Sequence, residues 1–267
     1  MIKIINSWPD WLIILLFAIA CLVAMYALHA ILRPILNKLI PGEERELSIS
    51  IHSTMVSALA AIIAFSMVQA LTNFQKSDAI VSLEATQINN LDRLLTRYGD
   101  HKFDVIRSDL LAYTESIVKD EWPTLYEGHG SDITQKLFFP VARAAVAIKP
   151  SSGREEVLYA EIVKLTESIA ESRDSRIEIA HIQIPYIYWM AIAILFVAKT
   201  LLSSAYKPSR EESFSLGVQM VVLASLLAIV FIFDQPFLGE TAIQPDAIVD
   251  TIKPVSYTHL DAADDTP

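Results

Sequence analysis

The chain has 267 residues, 53% of them hydrophobic and 19% charged, with a formal net charge of −10. That is too apolar for an ordinary water-soluble domain yet too charged to lie wholly in lipid, which indicates a polytopic membrane protein with a water-exposed portion. The acidic balance argues against a nucleic-acid partner, and the single cysteine, Cys21, excludes an internal disulfide and any zinc site built from several cysteines.

Residues 11–32 form the first expected membrane span. Their 22 residues at ~1.5 Å each reach about 33 Å, enough for a hydrocarbon core of about 30 Å. Trp8 and Trp11 mark one interface and Arg33-Pro34 the other. Cys21 follows Ala18-Ile19-Ala20, a faint likeness to a lipoprotein cleavage site, but the apolar run continues through residues 22–32. Cys21 therefore reads as a small apolar side chain inside a retained helix. Pro41-Gly42 makes a turn.

The run 43–98 contains neither Gly nor Pro, the residues that most often punctuate helices. It reads as one long helix whose first half, 47–71, crosses the bilayer and whose second half projects into water. Acidic residues at its start suit the positive end of the helix dipole. Ser57 with Ala61, and Ala60 with Ala64, are small pairs that let membrane helices approach closely. His52 and Gln69 fall near the ends of the span, where they are expected at the interfaces. Ser53, Thr54, Ser57 and Ser66 could line a pore, although packing against a neighbouring helix is the commoner use of such residues.

Residues 72–183 carry 18 acidic and 13 basic side chains and form the expected water-exposed bundle. Val81, Ala85, Ile88, Leu91 and Leu95 are a helical stripe, ended by Gly99-Asp100. Phe103, Ile106, Leu110, Tyr113 and Ile117 are the stripe of the next helix, which stops at Glu121-Trp122-Pro123. A loop with two glycines at 127–130 precedes a helix at 132–148, which Pro140 is expected to kink or restart. Residues 154–184, again free of Gly and Pro, carry the stripe Leu158, Ile162, Leu165 and Ile169. This helix is expected to lead directly into the third span, a second rod continuous from water into lipid.

Pro185 opens the third span, which runs to about residue 206, with Tyr186, Tyr188 and Trp189 at one interface and Lys199 placed to snorkel at the other. A short charged link, 207–213, leads to the fourth span, 214–233. Residues 240–254 show little pattern. Within 255–267 the run Ser256-Tyr257-Thr258-His259-Leu260-Asp261 resembles a translated sequencing adaptor, so this segment is expected to be non-native read-through and the natural C-terminus to differ. The expected organisation is thus membrane helices in 1–71, a helical domain in 72–183, two further membrane helices in 184–239 and a tail in 240–267. Four spans put both termini and the helical domain on one side, while the distribution of Lys and Arg scarcely decides which side that is.

The stripes also point to charge. Glu84 is three residues after Val81 and four before Ile88, Glu121 is four after Ile117, and Arg173 and Arg176 are four and seven after Ile169. Acids thus border the buried faces of two helices and arginines that of a third. A structural ion-pair network is the commoner meaning of such a set, because buried ions need partners; a charged vestibule or gate for ions is the alternative. Asp234 ends the fourth span, with Pro236 and Gly239 shaping the chain's exit. The motifs G-x-x-x-x-G-K-[ST], H-E-x-x-H, G-x-S-x-G and G-x-G-x-x-G are all absent. The six histidines show no metal-ligand spacing, so neither an enzyme nor a metal or other cofactor is expected.

This order of features resembles the bestrophin-like family of bacterial and plant membrane proteins. Its marks here are Glu84-Ala85, Leu91-Asp92-Arg93, Tyr113, Glu121-Trp122, Arg173, Arg176, Pro185 and Trp189. The clearest is Asp234-x-Pro236-Phe237-x-Gly239 after the fourth span. The resemblance covers the chain to about residue 250. It implies a remote relationship to bestrophins, which are pentameric anion channels, and a cytosolic location for the 72–183 domain. Bestrophins line their neck with apolar side chains of the second span, for which Ile62, Ile63 and Phe65 are counterparts in type; no calcium-clasp pattern of clustered acids is present.

The expectation is therefore an all-α, bestrophin-like protein with four transmembrane helices and a cytosolic helical bundle inserted between the second and third spans. It is placed as a multi-pass protein in the bacterial inner membrane, in contact with the lipid bilayer and assembled as a homo-oligomer. The expected function is an ion channel or channel-like pore passing inorganic ions, with anions favoured. The alternative is a non-conducting scaffold or signalling protein whose bundle binds a partner.

Overall fold

The computed structural model describes residues 8–39, 45–99, 103–204 and 209–252. The expected Pro41-Gly42 turn, Asp100, Lys207 and the 255–267 segment lie outside them. Among the described residues there are eight α-helices and no strand. They are α1 (Asp10–Leu39), α2 (Arg45–Tyr98), α3 (Phe103–Ser116), α4 (Asp132–Val146), α5 (Gly153–Ile179), α6 (Tyr186–Ser204), α7 (Arg210–Phe233) and α8 (Asp246–Ile252). The chain forms two compact units: Met1–Phe74 with Gln183–Ala242, and Gln75–Ile182 with Ile243–Pro267. α2 is one uninterrupted helix of 54 residues that supplies both.

In the first unit α1, α2, α6 and α7 are each long and apolar enough to cross a membrane. No more than 28% of the most apolar window of any of them is buried within the chain, so most of this apolar surface faces outward, as a lipid-embedded bundle requires. α1 packs on α6 and α7, with Phe17 and Phe231 in ring contact at 5.3 Å. The core joins Leu59, Ile63 and Ala70 of α2 to Ile184, Ile192 of α6, and Leu223 and Val230 of α7. Helix ends are capped by the chain itself. Ser209 and Glu212 form a capping box at the start of α7, and the Asp10 N–H donates to the Glu240 carboxylate at 3.0 Å, relieving one orphan donor at the start of α1.

In the second unit the first two of the three stripes read from the sequence are buried throughout, whereas in the third Ile162 and Ile169 are buried and Leu158 and Leu165 only half-buried. Val81, Ala85, Ile88, Leu91 and Leu95 of α2 and Phe103, Ile106, Leu110, Tyr113 and Ile117 are each 7% exposed or less. Burial of each large apolar member is worth about 1.5–3 kcal/mol, which is why these faces fix the packing. Gly99 (φ +81°) ends α2 in the left-handed conformation that suits a residue without Cβ. α4 runs through Pro140 unbroken; Pro140 is exposed, so water can satisfy the carbonyl the proline leaves without a donor. α8 lies within residues that showed little pattern, and packs on α3.

The second rod is not continuous: α5 ends at Ile179, Ala180-His181 form a turn, and helix resumes only at Tyr186. Pro185 is the cause. It has no N–H for a helical bond and disfavours helical geometry at Ile184. The Ile184 N–H is used differently, donating to Asp234 Oδ1 at 2.6 Å.

Candidate functional site

All four charged residues drawn from the stripes meet in one buried cluster of the second unit. Glu84 comes from α2, Arg173 and Arg176 from α5, and Glu121 from a π-helical turn, Ile117–Glu121, that follows α3. The Trp122 N–H bonds back five residues to the Ile117 carbonyl. This wider turn keeps both Ile117 and Glu121 on the buried side, each at 0% exposure. A 3-10 helix, Trp122–Glu127, then turns the chain away.

Arg176 is the hub. Its Nε donates to Glu84 Oε2 at 2.6 Å and its Nη2 to Glu84 Oε1 at 3.2 Å and Glu121 Oε1 at 2.8 Å. Arg173 holds the other side of Glu121, with Nε 3.2 and 3.1 Å from its two oxygens and Nη2 2.5 Å from Oε2. Tyr113 donates to Glu84 Oε1 at 3.2 Å, and the Ser131 N–H to Glu121 Oε2 at 2.9 Å. The Arg176 guanidinium carbon lies 5.8 Å from the Trp122 ring centre, within cation–π range. Burial opposes the charge on Arg176, but Glu84 and then Glu121 outweigh it and hold its pKa above the ordinary arginine value. Burial, reinforced by the Glu84 charge, holds the Tyr113 hydroxyl well above the usual tyrosine range.

Two carboxylates face two guanidiniums, and every carboxylate oxygen accepts at least one bond. The cluster is therefore a clamp that ties α2, the π turn and α5 together, although the buried Nη1 of Arg176 has no partner. Glu84, Glu121 and Arg176 are wholly buried and Arg173 is 8% exposed. Among the described residues no group of three or more His, Cys, Asp or Glu side chains could hold a metal ion.

The three apolar residues considered for a constriction are not on one face. Phe65 is 67% exposed, Ile62 is half-buried, and Ile63 is 2% exposed and belongs to the core of its own membrane unit. Ile63 is thus committed to internal packing. The uncovered face of α2 instead carries Ser57, Ala61, Ala64, Phe65 and Val68.

The exit motif is a connector. Asp234 caps α7 and, through Ile184, fixes the chain just before α6. Pro236 and Phe237 are buried beside it, and Gly239 (φ +115°) turns the chain back. Burial raises the Asp234 carboxyl to about 6, against the opposing pull of the Ile184 N–H.

The bestrophin-like domain model matches residues 15–248. The chain belongs to the bestrophin-like family. Its fold is similar to that of a crystal structure of a membrane protein, with a TM-score of 0.58 at 13% identity, over 88% of this chain and 95% of that one. No curated protein matches it.

Two glycines of this bestrophin-like chain stand in tight places, Gly130 against the clamp and Gly128 against His181, and carry no charge signal that would reveal them. A Cβ on Gly130 would stand 2.7 Å from Ile177 Cδ1, 3.2 Å from Arg173 Nη2 and 3.3 Å from Glu121 Oε2. Gly128 (φ +70°) lies under the His181 ring, where a Cβ would come within 1.7 Å. Only the pair of glycines in a loop was visible beforehand. His52 and Lys199 also depart from expectation, both being buried within the membrane unit.

Proposed function

We propose that the protein is an ion-conducting pore of the bacterial inner membrane, assembled from several copies of this chain, passing anions, with its large helical unit in the cytosol. The observation that carries this reading is the uncovered face of α2. Small residues at Ser57, Ala61 and Ala64 suit close approach of a second helix. Phe65 and Val68, 67% and 65% exposed, would supply an apolar ring, and such a constriction gates by dewetting. Because α2 is a single helix of 54 residues, tilting its aqueous half would move this ring. Kinship with bestrophins supports the anion preference and the cytosolic placement. No catalytic role is proposed.

A second reading has its own support. The aqueous unit exposes Val105, Phe139, Val146 and Val157, each at 55% or more, apolar side chains available for a partner to cover. These residues suit a non-conducting scaffold that recruits a partner as well as contacts between copies. Purified protein in a planar bilayer separates the two. Unitary currents whose reversal potential follows an imposed chloride gradient support the pore; a silent bilayer containing intact oligomers supports the scaffold.

A further inference from the structure

Lys199 of α6 is a charge that neither the clamp nor the proposed constriction uses. The residue is 1% exposed, and the Nζ hydrogen bond goes to the Met220 Sδ of α7 at 3.7 Å. A thioether is a weak and neutral acceptor. No carboxylate among the described residues pairs with this ammonium. An unpaired buried charge is costly, and ionisable residues inside a membrane commonly mark ion binding or passage.

Polar side chains of α1, α2, α6 and α7 lie nearby. His52 of α2 is within electrostatic reach of Lys199. The Ser203 hydroxyl donates to the Lys199 carbonyl at 2.9 Å, so its contact with His52 Nδ1 at 3.2 Å has the ring N–H as donor. Gln219 of α7 meets the other ring nitrogen at 3.3 Å. The same arrangement recurs one residue on: Ser204 donates to the Thr200 carbonyl at 2.7 Å and meets His29 Nδ1 at 3.1 Å. His29 in turn lies within electrostatic reach of Arg33. A cavity of about 60 Å³ beside Ser203 is lined by Tyr26, His29, Thr200 and Ser213 as well, space for a single small ion or water.

We propose that Lys199 anchors a binding site for a small monovalent inorganic anion inside the membrane unit, between α6 and α7, where its ammonium now meets only the Met220 thioether. The anion takes the place of Met220 Sδ, whose unbranched side chain readily repacks. The site rests on the geometry of Lys199 and not on the pore at α2, so an occluded anion that never crosses the membrane would satisfy it.

The test is thermal unfolding of the detergent-solubilised full chain in sodium bromide against sodium gluconate at constant ionic strength. The expected result is a saturable rise of Tm with bromide that gluconate does not give, and at least a tenfold weaker bromide midpoint in Lys199→Met. A flat bromide response in the unsubstituted protein, or an unchanged midpoint in Lys199→Met, overturns the proposal. Should that variant not fold, bromide-soaked crystals of the unsubstituted protein decide. An anomalous peak in contact with Nζ supports the site, and its absence beside an ordered Lys199 refutes it.

Discussion

Truncating Arg176 to Ala tests whether the clamp holds the helical unit together. The substitution removes two bonds to Glu84, at 2.6 and 3.2 Å, and one to Glu121 at 2.8 Å. Glu121 keeps Arg173 and the Ser131 N–H. Glu84 keeps only Tyr113, so the penalty falls on Glu84, a wholly buried carboxylate left without a counter-charge. Removing one partner of such a pair costs about 3–5 kcal/mol, a large share of the roughly 5–15 kcal/mol by which a typical domain is stable. The double variant Glu84→Gln/Arg176→Met removes both charges, keeps an acceptor for Tyr113, and should return to within about 1 kcal/mol of the unsubstituted protein, since replacing both members of a buried pair is often nearly neutral. Urea unfolding in detergent, followed by tryptophan emission with Trp122 beside Arg176 as the local reporter, measures both. A single variant as stable as the parent, or a double variant no better than the single, refutes the clamp.

Gly128→Ala should destabilise by roughly 1 kcal/mol or more, because alanine is strained at positive φ and its Cβ collides with the His181 ring; Gly130→Ala should do the same through Ile177, and the same urea titration reads both. Asp234 gives a pH signature. Its folded carboxyl is raised to about 6 from an ordinary 3.8, so the fold favours the protonated form. That contribution is complete below the unfolded value and is lost as pH rises through about 6. Asp234→Asn, which retains an acceptor for the Ile184 N–H, should therefore melt higher than the parent at pH 7.5 and together with it near pH 4; coincident curves at both would remove the assignment. Ile63→Ala should cost about 2–5 kcal/mol as a core truncation, whereas Phe65→Ala, at an exposed position, should leave Tm within a degree or two.

The four spans and the first two stripes were legible because they rest on length and period alone, while the third stripe is buried only at Ile162 and Ile169. The clamp was legible too, since Glu84, Glu121, Arg173 and Arg176 stand three, four or seven residues from stripe members, spacings that share a helix face. Other features had no such signal. Both faces of a membrane helix are apolar, so nothing in the pattern distinguishes Ile63, turned into the core, from Phe65, turned out. The π turn at Ile117–Glu121 shifts the helical phase by a residue through backbone bonding that side-chain types do not encode. The end of α5 at Ile179 precedes any Gly or Pro and becomes intelligible only when Pro185 and the Ile184–Asp234 bond are seen together. Lys199 near the end of a span looks like a snorkelling residue; the group its ammonium meets instead, Met220 Sδ, is 21 positions away.

Cysteine accessibility during conduction tests the pore directly, and Cys21 is the only thiol to be removed. In a Cys21→Ser background, Phe65→Cys channels reconstituted in a planar bilayer should lose current when a water-soluble thiol reagent is added, while Ile63→Cys channels should not respond. Currents untouched by reagent at Phe65, or blocked through Ile63 instead, would contradict a pore lined by the uncovered face of α2.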